Sequence, residues 1–211
     1  MGFLGQAIGK FRHAWAVGAI LMLTIIIITL VPTVGIFWAS PFVASLARYG
    51  KIVWLESRQP RLGELFSMPL SHYMRVGVVW AGIFAIASAI LLLYINSKIH
   101  GFPHLKPFAF PGYVMPLGAV ALIAAGSYFF LYSYPFLIID QDKEIVPAIT
   151  RSIKLSLTYP WHALALTLLA MILNTTGLLL CGVGTLITTP LTFIVSAGVY
   201  VKTFYAAKMR A

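Results

Sequence analysis

Few side chains in this sequence could do chemistry. The five acids, Glu56, Glu64, Asp140, Asp142 and Glu144, all fall in polar intervals between long apolar runs. A transporter coupled to protons or sodium keeps an ionisable group inside the bilayer, where its cost is tolerated for function. Their placement therefore argues against a carboxylate relay. Asp140, Asp142 and Glu144 are close in sequence but have no His or Cys beside them, and read as a solvated helix-start cluster facing Lys143 rather than a cation site. His100 and His104 have the spacing of two ligands on one helical face, yet Gly101, Phe102 and Pro103 oppose a helix there. His13 and His162 each open an apolar run and could hold a haem as a pair, but read as interfacial residues. Cys181 is the only cysteine, so it has no disulfide partner, and it reads as a small packing residue. No nucleophile, base and orienting group converge, so the expectation is a protein that is not an enzyme, with no catalytic residue, metal or cofactor.

The most specific polar feature is a row of hydroxyls, Thr185, Thr188, Thr189, Thr192 and Ser196, along one face of the last apolar run, with Asn174 close to its start. Such a row either lines a path for a solute or headgroup, or joins two helices at close range. Interhelical hydrogen bonds of that kind contribute about 0.6 to 2 kcal/mol each. The second set is basic: Lys10, Arg12, Arg58, Arg61, Arg75, Arg151 and Lys154 flank the apolar runs. Near an anionic leaflet each contributes about 1 kcal/mol of attraction. These seven are the candidate contacts to anionic lipid.

The elements that must carry these residues are membrane helices. The sequence is 60% hydrophobic and only 9% charged, with a mean hydropathy of +0.92, and a crossing needs about 20 mostly apolar residues. A net charge of +10 would suggest nucleic acid in a soluble protein. Here the basic residues sit at the ends of apolar runs, so no nucleic-acid partner is expected. His13 to Lys51 aligns without a gap on His162 to Tyr200, pairing Ala14 with Ala163, Gly35 with Gly184 and Pro41 with Pro190. The predicted fold is all-α and polytopic, a single integral membrane domain of residues 1–211. It has six transmembrane helices as three hairpins, each preceded by an amphipathic cytoplasmic surface helix, in units of about 1–55, 56–137 and 138–211.

Within that frame residues 1–12 are expected to lie on the membrane surface, residues 61–75 to form a second surface helix bent at Pro69, and Ile145, Ile149, Ile153 and Leu157 to mark a third. The crossings are expected at about 14–31, 34–49, 76–94, 117–139, 161–180 and 184–204. With both termini on one side, thirteen of the fifteen basic residues share that side, and only Lys98 and Lys106 fall opposite. The positive-inside rule then makes both termini cytoplasmic.

The segments GELF at Gly63–Phe66, PAITRSIKLS at Pro147–Ser156 and the GVG turn at Gly182 with its downstream Pro190 carry a resemblance. Over nearly the whole chain the pattern resembles uncharacterised bacterial inner-membrane proteins, among them the membrane domain attached to some glycerophosphoryl diester phosphodiesterases. That resemblance implies a six-helix membrane fold in the bacterial inner membrane and supplies no catalytic residue, because the hydrolytic domain is absent here. The functional expectation is a scaffold or accessory subunit contacting membrane lipids, another membrane complex or a second copy of itself. The alternative is a passive permease or lipid-translocating protein using the hydroxyl row.

Overall fold

In the computed structural model the described residues are 2–29, 35–100, 114–140, 144–180 and 183–205, and all of their regular structure is helical. Pro32, Gly101, His104, Asp142, Lys143, Cys181 and Gly182 lie outside the described residues. The first helix, α1 (Phe3–Thr29), corrects one expectation. Residues 3–12 form no separate surface helix but the opening turns of a single helix 27 residues long. The reason lies in spacing. Ala7, Phe11, Ala14, Val17, Leu21 and Ile25 follow one another every three or four residues and all are buried, so one apolar face runs through the whole segment.

The next helix, α2 (Gly35–Glu56), contains Pro41. It packs against α1, against α4 (Leu70–His100) and against α9 (Thr185–Tyr200), and it buries Ala44 to Ala47, Tyr49, Gly50, Val53 and Trp54. At Gly50 it meets the backbone of Phe193 in α9. A Cβ on Gly50 would stand 2.7 Å from the Phe193 carbonyl carbon. α2 ends at Ser57, whose φ of 54° is left-handed, a conformation that glycine adopts at lower cost.

Residues 61–75 also depart from expectation. They divide into a single turn, α3 (Leu62–Leu65), and the start of α4, because Pro69 falls just before the first residue of α4 rather than inside a helix. Tyr73 closes the gap: its hydroxyl donates to the Leu65 carbonyl and accepts from the Met68 amide. The fourth apolar segment is composite. It begins as α5 (Val114–Gly126), widens to a π turn at Ser127–Leu131 and resumes as α6 (Tyr134–Asp140).

In residues 144–179 the amphipathic helix is separate from the apolar helix that follows it. α7 (Ile145–Thr158) meets α8 (Pro160–Leu179) at a bend of 101°. Pro160 has no N–H to continue the hydrogen-bonding of α7, and it stands where a helix can begin. Ala148, Ser152 and Ser156 dock α7 on the π turn. Ser156 Oγ donates to the Tyr128 carbonyl at 3.0 Å, and Ser152 Oγ donates to the Phe129 carbonyl.

α2 and α9 form the middle of the bundle, with α1 against both, α4 and then α5 on the α2 side, and α8 on the α9 side. The outer faces are apolar: Ile20 and Ile27 of α1, Ile86 and Leu92 of α4, and Leu168 and Ile172 of α8 are exposed. Among the described residues four helical segments, Phe3–Ile27, Leu70–Asn96, Val114–Asp140 and Thr185–Thr203, are long and apolar enough to cross a membrane, and the bent α7–α8 pair makes up to five. α2 is more polar because it carries Ser45, Arg48, Lys51 and Glu56, and its neighbours shield it.

Candidate functional site

The hydroxyl row on α9 is a tight helix contact. Thr189 Oγ1 donates to Asn174 Oδ1 of α8 at 3.0 Å, which crosses between the two helices. Thr192 donates to the Thr188 carbonyl at 2.9 Å and Ser196 to the Thr192 carbonyl at 2.8 Å, so both are satisfied within their own helix. At the end of the row a Cβ on Gly177 would lie 2.5 Å from Thr188 Oγ1 and 2.9 Å from the Thr185 amide. A Cβ on Gly184 would lie 2.8 Å from the Gly177 Cα. α8 and α9 therefore approach there backbone to backbone, the use that small residues have in membrane interfaces. Thr185 is buried in this contact, and the buried Thr188 hydroxyl has no partner among the described residues.

The seven basic candidates separate by environment. Lys10 is turned inward: it donates to the Trp54 carbonyl, and its ammonium lies 4.9 Å from the centre of the Trp54 ring. Arg58 is held by two carboxylates, Glu56 at 2.6 Å and Glu64 at 2.8 Å. Arg75 is half-buried, in the second turn of α4, and its carbonyl accepts from Tyr134 at 2.6 Å. Arg12, Arg61, Arg151 and Lys154 are exposed. His13 and His162 are exposed as well, the latter edge-on to Tyr159 with ring centres 6.0 Å apart.

Where α2, α3 and α6 converge, the structure forms a cavity of about 430 Å³. Its wall combines Arg48, Lys51, Glu56 and Arg58 from α2 and the loop after it, Glu64 and Met68 from the α3 region, and Ile139 and Asp140 from α6. Lys51 pairs with Asp140 Oδ1. Asp140 is the last residue of α6 and its side chain is only 9% exposed, so it is no solvated helix-start acid. Asp140 instead belongs to a pair 89 residues apart in sequence, while Asp142 and Lys143 of the expected cluster lie outside the described residues. Two charged atoms at this cavity stay unsatisfied. Arg48 Nη1 and Asp140 Oδ2 are buried without a hydrogen-bond partner among the described residues.

The opposite wall is stiffened by Arg58. Its hydrogen bond, with a smaller one from the Arg61 amide, holds the Glu64 carboxyl below the usual carboxylate range, and the two acids in turn raise the Arg58 guanidinium. Two carboxylates on one guanidinium leave this wall one negative charge in excess. Chemically the cavity can accept a hydrogen-bond acceptor at Arg48 and a donor at Asp140. Sequence reasoning treated Arg48 and Lys51 only as topology charges, because their partner on α6 is remote in the chain. The available signal was their one-turn spacing near the end of an otherwise apolar helix. No family model, curated protein or solved structure matches the chain.

Proposed function

We propose that the chain is a six-crossing inner-membrane protein with both termini in the cytoplasm, acting as a non-enzymatic scaffold or accessory subunit that holds anionic lipid at its cytoplasmic face. The observation that carries this reading is α7. Its circumference divides into three sectors: Ala148, Ser152 and Ser156 are buried on the bundle, Val146 and Leu157 are apolar yet 72% and 62% exposed, and Arg151 and Lys154 line the next edge in the open. A helix set at 101° to a crossing, with exposed apolar and basic strips side by side, has the form of one lying in the headgroup layer. The burial pattern also supports the repeat, since Ala14, Val17 and Leu21 of α1 and the aligned Ala163, Leu166 and Ala170 of α8 are all buried. The permease alternative draws less support, because the hydroxyls of Thr189, Thr192 and Ser196 are spent on helix hydrogen bonds.

The test is the association of spin-labelled phosphatidylglycerol, relative to phosphatidylcholine, with the protein in vesicles. Arg151→Gln with Lys154→Gln removes two charges, about 2 kcal/mol at the surface or roughly thirtyfold in preference for the anionic lipid at that helix. An unchanged ratio in the double variant would defeat the lipid-holding role.

A further inference from the structure

The cavity between α2, α3 and α6 belongs to none of the roles above. We propose that it is a binding site for a phosphoethanolamine headgroup, with the phosphate at Arg48 and the primary ammonium between Asp140 and the Glu56–Glu64 wall. The inference rests on the membrane reading, which places the charged end of α2 at the headgroup layer. Two unpartnered atoms support it first. Arg48 Nη1, a buried donor without a partner among the described residues, requires an acceptor, and a phosphate oxygen supplies one. Asp140 Oδ2, on a side chain nine-tenths buried, requires a donor, and a primary ammonium has three.

The charges of the wall select the ligand further. Lys51 and Asp140 cancel, Arg48 adds one positive charge, and Arg58 with its two carboxylates adds one negative, so the site is neutral overall and charged at its two ends. A neutral, polarised site fits a zwitterion better than a polyanion or a bare cation. Leu55, half-exposed, lies with Ile52 and Met68 on the same wall and gives the acyl chains of a lipid an apolar exit. A volume of about 430 Å³ is in the range of small-molecule pockets.

The experiment is native mass spectrometry of the full-length protein released from micelles containing equal phosphatidylethanolamine, phosphatidylcholine and phosphatidylglycerol, with soluble phosphoethanolamine as a competitor. One phosphatidylethanolamine retained per chain is expected, with phosphatidylcholine retained on the order of tenfold less because its trimethylated nitrogen has no N–H to donate. Arg48→Gln should lower retention of both lipids by removing the phosphate contact they share, Asp140→Asn should abolish the preference between them, and Leu55→Trp, at an exposed position, should reduce retention by narrowing the mouth without touching the core. Displacement by millimolar phosphoethanolamine assigns the recognition to the headgroup alone, whereas resistance to it assigns part of the binding to the acyl chains. Equal retention of phosphatidylethanolamine and phosphatidylcholine, or a preference that survives Asp140→Asn, overturns the proposal. An unchanged phosphatidylglycerol ratio in the α7 variant would defeat the lipid-holding role and leave this result untouched, so the two readings fail separately.

Discussion

Gly50→Ala puts the centre of the bundle to the test with a single methyl group. The new Cβ would sit 2.7 Å from the carbonyl carbon of Phe193 and 3.1 Å from the amide nitrogen of Ile194, and closer still to the Phe193 oxygen. All three atoms are backbone, so no side chain can rotate away and α2 and α9 must separate. Overpacking costs about 1 to 3 kcal/mol, and a rigid obstacle puts this site at the upper end. Alanine recovers about 1 kcal/mol of helix propensity. The net loss is about 2 kcal/mol, or about 4 to 8 °C in Tm for a chain of this size. Gly82, in α4, is the control, since a Cβ there meets nothing within 4 Å. Gly82→Ala should therefore leave Tm unchanged or raise it. Thermal unfolding in detergent, followed by circular dichroism, reads both variants. If Gly50→Ala melts at or above the wild-type temperature, α2 and α9 do not cross in backbone contact and the central packing is wrong.

Three further outcomes follow from the geometry. Thr188→Val removes a hydroxyl with no partner among the described residues and should be neutral or slightly stabilising, whereas Thr189→Val breaks the bond to Asn174 and should cost about 0.6 to 2 kcal/mol in the same melt; equal costs would contradict the seam. Ser57→Gly relieves the left-handed residue that ends α2 and should raise stability by about 1 kcal/mol, and a fall in Tm would remove that assignment. Glu64 is held below its unfolded pKa chiefly by the Arg58 hydrogen bond, so its contribution is complete above the unfolded value near pH 4 and is lost as pH falls through the lower folded value. Tm should be flat at neutral pH and decline in strong acid, and Glu64→Gln should flatten part of that decline.

The helices were legible in the sequence because hydropathy and period are local properties. α7 and its bend were written in Pro160 and in the small polar residues Ser152 and Ser156. Residues 3–12 misled because an amphipathic helix reads the same whether its apolar face meets lipid or protein. At the position of Pro160 the first unit has Phe11, and without that break the helix ran on and buried its face. The hydroxyl row was visible, but whether its oxygens were free depended on Asn174 and on the approach of Gly177 to Gly184. The cavity was the least legible element, because Asp140 looks solvated until α6 is folded beside α2.

The docking of α7 ties the last third of the chain to the middle third. Its Ser152 and Ser156 hydroxyls find their acceptors on Tyr128 and Phe129, in the widened turn of the fourth apolar segment, and not on the α8 helix that follows. The helix is a latch in the static sense: seated on the π turn, it sets where α8 starts at Pro160, and α8 in turn packs on α9. The register of the last third of the chain therefore depends on two backbone carbonyls of the middle third, which nearness in sequence does not suggest.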